Sequence, residues 1–160
     1  MTILHVMHGF MGFGKTNFAK KLEKEIKAIR FDSEEWMRRL YGFDPEQMID
    51  PDMNYHNVNA LQFELMGKLL DLNVDIIFDT GSWGRKRRDE IRNFAKKHNA
   101  ECKFYNIICD INLARERNLR RNESEKDTHL LITNDTFDMF LKKYEPMDKD
   151  EECVIINNNL

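Results

Sequence analysis

Gly9-Phe10-Met11-Gly12-Phe13-Gly14-Lys15-Thr16 is the stretch whose reading decides the fold. It fits the pattern Gly-x-x-x-x-Gly-Lys-[Ser/Thr], and its flanks say where it sits. The apolar run Ile3 to Met7 precedes it, and Asn17 to Ile29 follows with Phe18, Ala19, Leu22 and Ile26 at helical spacing. The motif therefore falls at a strand-to-helix turn, the context that separates a phosphate-binding loop from a chance run of glycines. Backbone N–H groups along Gly9, Gly12, Phe13, Gly14, Lys15, Thr16 and Asn17 are expected to cradle nucleotide phosphates at the positive end of that helix. Lys15 would reach the β and γ oxygens, and the Thr16 hydroxyl would bind Mg²⁺. A side chain at Gly9 or Gly14 would block close approach. Phe10, Met11 and Phe13 are bulkier than the small residues usual in such loops, and they are expected to narrow the mouth of the site.

With 160 residues, 41% hydrophobic and 33% charged, the chain has the composition of a soluble globular protein with one core, and one domain over 1–160 is expected. No apolar run approaches the length of a membrane span, and the N-terminus has no basic region, apolar stretch and cleavage site of a secretion signal, so a cytoplasmic location is expected. The net charge of −3 weighs against a general nucleic-acid binder, although local basic clusters leave room for a strand end. Cys102, Cys109 and Cys153 lack metal-ligand spacing and read as structural thiols, and His5, His8, His56, His98 and His129 form no ligand pattern.

Outward from the loop, Ala28 to Phe31 reads as a second strand, and Asp32, Ser33, Glu34 and Glu35 open a helix to about Leu40. Gly42 to Pro51 reads as a loop. Val58, Leu61, Leu65, Leu69 and Leu72 predict a long helix from about Asn54 to Leu72 with that face inward. Val74 to Phe78 has the continuous apolar character of a strand buried on both faces and ends at Asp79. Gly84 to His98 reads as a helix, Cys102 to Cys109 as a strand, and Asn112 to Asn122 as an arginine-loaded helix followed by a polar flap. Asp135 to Tyr144 and Cys153 to Ile156 complete the alternation as helix and strand. The fold class is thus α/β, a P-loop NTPase with a five-stranded parallel sheet and helices on both faces. Ligands of such a sheet bind at the carboxyl ends of the strands, which here carry the Gly9 to Thr16 loop, Asp32, Asp79 and Asp110.

The chain offers a candidate for each part of phosphoryl transfer. Asp79, facing the loop, could hold Mg²⁺ or grip an acceptor; its alternative is to cap the following turn. Asp32 or Glu34 could take the proton of an acceptor hydroxyl, and either could instead cap the helix with Ser33. Trp36 could wall the acceptor pocket or pack in the core, and Arg38 follows it on the same helix. Arg85, Lys86, Arg87 and Arg88 crowd a helix start, where the macrodipole disfavours cations; an anion is expected nearby, with Arg85 and Arg88 on substrate. Arg117 and Arg121, four residues apart, project from one helix face ahead of the flap and are expected to act from a lid over the phosphates, roughly 115–132.

Gly9 to Thr16, Asp32 to Leu40, Phe78-Asp79-Thr80 with Arg85 and Arg88, Arg117 to Asn122 and Tyr144-Glu145-Pro146 together resemble the small P-loop kinases of the AAA_33 or zeta-toxin-like group. That group includes polynucleotide 5′-kinase domains and chloramphenicol phosphotransferases. The resemblance spans nearly the whole chain and implies a nucleoside-kinase-like fold with a small lid, ATP and Mg²⁺ as cofactors, and a hydroxyl acceptor. It places the acceptor-activating acid at Asp32 or, by register with Glu-Trp-Met, at Glu34, and it puts Arg121 on the β/γ-phosphates with Arg117 beside it. Polynucleotide kinases carry an arginine three residues after the catalytic aspartate; from Asp32 that position is Glu35, which argues against a nucleic-acid acceptor. The expected activity is a kinase acting on a small-molecule or nucleotide-like hydroxyl. The competing readings are a nucleotide-hydrolysing regulatory module and a polynucleotide 5′-kinase.

Overall fold

The computed structural model describes residues 1–42, 51–124 and 131–159. In chain order the elements are β1 (Ile3–His8), α1 (Lys15–Glu25), β2 (Ala28–Asp32), α2 (Ser33–Tyr41), α3 (Pro51–Asp71), β3 (Asp75–Asp79), α4 (Arg85–Lys97), β4 (Glu101–Ile108), α5 (Ile111–Ser124), α6 (Asn134–Leu141) and β5 (Val154–Asn157). The strands form one parallel sheet ordered β2-β3-β1-β4-β5. β1 is central, and the chain builds first on one side of it and then on the other, which opens the crevice beside its carboxyl end.

Alternate residues of the strands feed opposite faces. Leu4, Val6, Ile76, Phe78 and Phe104 join Met66, Leu70, Ile91 and Ala95 of α3 and α4 in one cluster. Met7, Ile77, Tyr105 and Ile107 join Ala19, Leu22, Ala114 and Phe137 of α1, α5 and α6 in the other. A central parallel strand has no solvent face, which is why these segments read as apolar runs. Among the described residues no helix is long and apolar enough to cross a membrane.

Two sequence expectations shift. α1 begins at Lys15 and ends at Glu25, because Ile26 turns to an extended conformation (φ −121°, ψ 154°) so that Ala28 can pair with Asp75 of β3. The inward stripe of α3 is Val58, Gln62, Met66 and Leu70, while Leu61 and Leu72 are 45% and 71% exposed. Both stripes satisfy helical spacing. Packing against the sheet selects between them, burying Met66 and Leu70 with Leu4, Val6, Ile76 and Phe78, while Phe63 beside that stripe meets Phe94 of α4 (4.7 Å). Residues 43–50 of the expected Gly42 to Pro51 loop, and most of the polar flap, lie outside the described residues.

Candidate nucleotide and acceptor site

The Gly9 to Thr16 loop leaves β1 and turns into α1 through Gly14, whose left-handed conformation (φ 95°) is open to glycine at little cost. A Cβ at Gly14 would collide with the Asn158 side chain, and one at Gly9 would lie 2.6 Å from the Ile107 carbonyl oxygen. The glycines are thus required by the protein's own packing as well as by any phosphate. Asn158, just past β5, holds the loop from above, its Nδ2 donating to the Phe13 carbonyl (2.7 Å). Lys15 Nζ donates to the Phe10 carbonyl oxygen (3.1 Å), a bond for which phosphate oxygens would compete.

Phe10 and Phe13 do not narrow the mouth as their bulk led us to expect. Both turn inward and are buried, and the Phe10 ring packs within 5.1–5.4 Å of the Trp83, Phe137 and Tyr144 rings. Burying an aromatic side chain is more favourable than leaving it in a solvated cleft, so the loop gains an apolar root from its variable positions. Beneath it, His8 is fully buried: Nδ1 donates to the Ser82 carbonyl oxygen (3.0 Å) and Nε2 accepts from the Tyr144 hydroxyl (3.1 Å). Burial, then the charge of Arg88, push this imidazole down to about 4.

Opposite the loop, Asp32 and Asp79 are register partners on adjacent strands, and both are buried. Burial first, then the charge of Asp32, push Asp79 up to about 6, against the pull of Lys15, a hydrogen bond from Thr16 and the charge of Arg30. The Thr16 hydroxyl is near enough to the Asp79 carboxylate to lower its pKa, and the two are hard oxygen donors of the kind Mg²⁺ takes alongside phosphate oxygens. Arg30 was not anticipated. Its Nη1 donates to Asp32 Oδ2 (2.8 Å) and Asp79 Oδ2 (3.4 Å), while Nη2 reaches Glu35 (3.3 Å) and Nε reaches Glu23 (3.2 Å). The available signal was its position two residues before Asp32, which puts both side chains on one face of the strand.

The two candidate bases are in different situations. Asp32 caps α2, its Oδ1 accepting from the Glu35 amide (2.9 Å) while its Oδ2 accepts from Arg30. Glu34, exposed in the first turn of α2, makes no hydrogen bond or ion pair with any described residue. Burial lowers the pKa of Lys15, and Glu34 is the strongest of the charges that oppose this, ahead of Asp79.

On the other side, α5 lies along the loop. Arg117 donates to the Gly12 carbonyl (3.3 Å) and the Asn158 carbonyl (3.2 Å), and Arg121 is near enough for its charge to act on Lys15. Asn17, at the exposed face of α1, completes the loop residues.

The expected substrate cations are distributed differently. Arg88 is completely buried, bidentate to Glu151 (Nη2–Oε1 2.6 Å, Nε–Oε2 2.9 Å) and donating to the Ser82, Trp83, Glu145 and Pro146 carbonyls. Arg85 pairs with Asp89, Asp148 and Asp150, and its amide is capped by Glu145 Oε2 (2.7 Å). The anion demanded by cations at a helix N-terminus is thus the protein's own acidic segment after α6. Arg87, about 100° around the helix from Arg88, points to α3 instead and donates to Asn59 Oδ1 (3.0 Å). Trp36 packs on Phe31 (5.5 Å) in the sheet-face cluster, and Arg38 is half-buried on α2 one turn after Glu34.

A parallel sheet ordered β2-β3-β1-β4-β5, with Gly-x-x-x-x-Gly-Lys-Thr between its central strand and the next helix, defines a P-loop fold of the kind found in small kinases. The chain belongs to the AAA_33 family, described as an AAA domain, whose family model matches residues 4–147. No curated protein matches the sequence closely enough to count as a relative. Among solved structures, a gluconokinase from Sinorhizobium meliloti 1021 is 15% identical with a TM-score of 0.65, the match covering 97% of this chain and 82% of the other. Chaetomium thermophilum Kti12 in complex with ADP-AlF3 is 17% identical with a TM-score of 0.69, over 96% of this chain and 88% of the other. A chain of the Pnkp1/Rnl/Hen1 RNA repair complex is 17% identical with a TM-score of 0.71, over 89% of this chain but only 44% of the other. At these identities the shared property is the fold.

Proposed function

We propose that this chain is an ATP- and Mg²⁺-dependent kinase that transfers the γ-phosphoryl group to a hydroxyl of a small-molecule or nucleotide-like acceptor. The observation that carries the reading is the convergence of Lys15 and Thr16 at the start of α1 with Asp32 and Asp79 on adjacent strand ends and with Glu34, which has no partner among the described residues. The triphosphate lies along the loop amides with Lys15 on its β and γ oxygens. Thr16 and Asp79 would hold Mg²⁺, which when bound neutralises charge on the phosphates. Glu34 takes the acceptor proton as the acceptor oxygen bonds to the γ-phosphorus. The bond from that phosphorus to the β-bridging oxygen breaks, and ADP leaves with the electron pair. Arg121, with Arg117 anchoring α5 to the loop, spreads the charge developing on the transferring group, and residues 115–132 act as the lid.

Labelled phosphate transfer from ATP to a pool of hydroxyl acceptors tests this, with Lys15→Ala expected to abolish transfer by orders of magnitude. Near-normal turnover in that variant would reject the kinase. Nucleotide hydrolysis with water as the only acceptor would favour the regulatory-module reading instead.

A further inference from the structure

The inward stripe of α3 changes character along its length. Met66 and Leu70 face the sheet as apolar residues, but toward the amino end of the helix, which runs antiparallel to β3 and reaches the carboxyl edge of the sheet, the same stripe carries Gln62 and Asn59. Gln62 is completely buried. One end of its carboxamide accepts from the Ser33 hydroxyl (2.8 Å), which also approaches Thr80 Oγ1 (3.4 Å), and the other end has no partner among the described residues. Whichever way the amide is turned, one hydrogen-bonding group is left over. Ser33 and Thr80 directly follow Asp32 and Asp79, so this leftover group belongs to the acceptor side of the site.

We propose that Gln62, with Thr80 beside it, reads a hydroxyl of the acceptor, and that the acceptor is a neutral, hydroxyl-rich small molecule of the polyol or sugar class. The inference rests on the kinase reading above. An unpaired buried amide is costly, and a ligand hydroxyl relieves it as an acceptor without bringing a further negative charge beside the carboxylates. The charges of the neighbourhood point the same way. Asp32 and Asp79 immediately precede Ser33 and Thr80, and Arg30 is engaged by Glu23, Asp32, Glu35 and Asp79. Arg85 and Arg88, the guanidiniums that could have held a substrate phosphate, face the acidic segment around Glu151. Trp36, which could have stacked on a nucleobase, is packed on Phe31.

The experiment compares neutral polyols and sugars, their phosphorylated forms and 5′-hydroxyl oligonucleotides as acceptors of the wild-type chain, then repeats the best substrate with Gln62→Met, which removes the carboxamide at similar volume. The expected result is preferred transfer to a neutral polyol. In Gln62→Met its KM rises about tenfold or more while the KM for MgATP stays within about twofold. Preferred transfer to oligonucleotide ends or phosphorylated acceptors overturns the substrate class, and an unchanged acceptor KM in folded Gln62→Met overturns the role of Gln62. Should that variant not fold, deoxy analogues on the wild-type chain decide the point. Removing one hydroxyl is expected to lower kcat/KM about tenfold, and equal turnover of every analogue overturns the proposal. Calorimetry with MgATP separates the two layers: binding without transfer to any polyol defeats this inference alone, whereas absence of binding defeats the kinase reading and this inference with it.

Discussion

At Glu34 an exposed carboxylate without a partner among the described residues acts on the charge of Lys15, whereas both oxygens of Asp32 accept hydrogen bonds from Arg30 and the Glu35 amide. Glu34→Gln is therefore expected to lower kcat by about 10²- to 10⁴-fold while leaving the MgATP dissociation constant nearly unchanged. Asp32→Asn keeps an acceptor oxygen for the cap, and its main effect is expected through the ion cluster, as lower stability with a smaller loss of kcat. Single-turnover kinetics beside denaturant midpoints distinguish the two, and a larger kcat loss in Asp32→Asn would return the base to Asp32. Arg88 shows how far a residue's type falls short of its role. The guanidinium expected on substrate is wholly enclosed with Glu151, at 0% and 1% side-chain exposure. Arg88→Met leaves Glu151 hydrogen-bonded only to Arg92 and the Asp148 amide and takes the donor from the Ser82, Trp83, Glu145 and Pro146 carbonyls, so a loss of about 3 kcal/mol in urea unfolding is expected, with MgATP affinity retained in the fraction that stays folded.

Among the elements, α5 and the loop work as a pair, because Arg117 ties the helix to the Gly12 carbonyl while Arg121 acts on Lys15. Arg121→Ala is expected to reduce kcat/KM for ATP about 10²- to 10³-fold without lowering the melting temperature by more than a few degrees. A fall in stability with unchanged kinetics would make the residue structural. The loop's root is a different matter. Phe10 is buried among Trp83, Phe137 and Tyr144, and Phe10→Ala is expected to cost about 3–5 kcal/mol, read from chemical denaturation. Nucleotide affinity should fall with it, since α6 and the Trp83 turn hold the loop through that ring.

Across the whole molecule, buried titratable groups set an acid response with opposing parts. His8 has a folded-state value of about 4 against 6.5 when unfolded, so the folded chain binds fewer protons and its contribution is lost as pH falls through that span. Asp79, raised from 3.8 to about 6, contributes stability that is present at low pH and lost as pH rises through its span. In the absence of nucleotide and divalent cations the two nearly cancel, so wild-type stability is expected to change little between about pH 6 and 4.5. Asp79→Asn should uncover the His8 dependence as a drop of roughly 3 kcal/mol from pH 6.5 to 4. A curve for that variant as flat as wild type would contradict the balance. Glu151 adds a further acid loss: burial raises it, but hydrogen bonds from Arg88, the Asp148 amide and Arg92 prevail and hold it near 2, so its contribution disappears below pH 4.5.

The loop motif, the apolar strand runs and the helical spacings determined the parallel α/β fold and brought Lys15, Thr16, Asp32, Glu34 and Asp79 to one edge, because those signals are local and the chirality of parallel crossovers leaves few arrangements. Which arginine serves what was decided only in three dimensions. Arg85, Arg87 and Arg88 are alike in sequence, yet helix rotation sends one toward Asn59 and two toward an acidic segment some 60 residues onward. The same holds for Gln62, which shares a helix with a leucine pattern that fits equally well one residue out of phase. Periodicity gives a helix its face only up to such a rotation, and the partner it packs against removes the ambiguity.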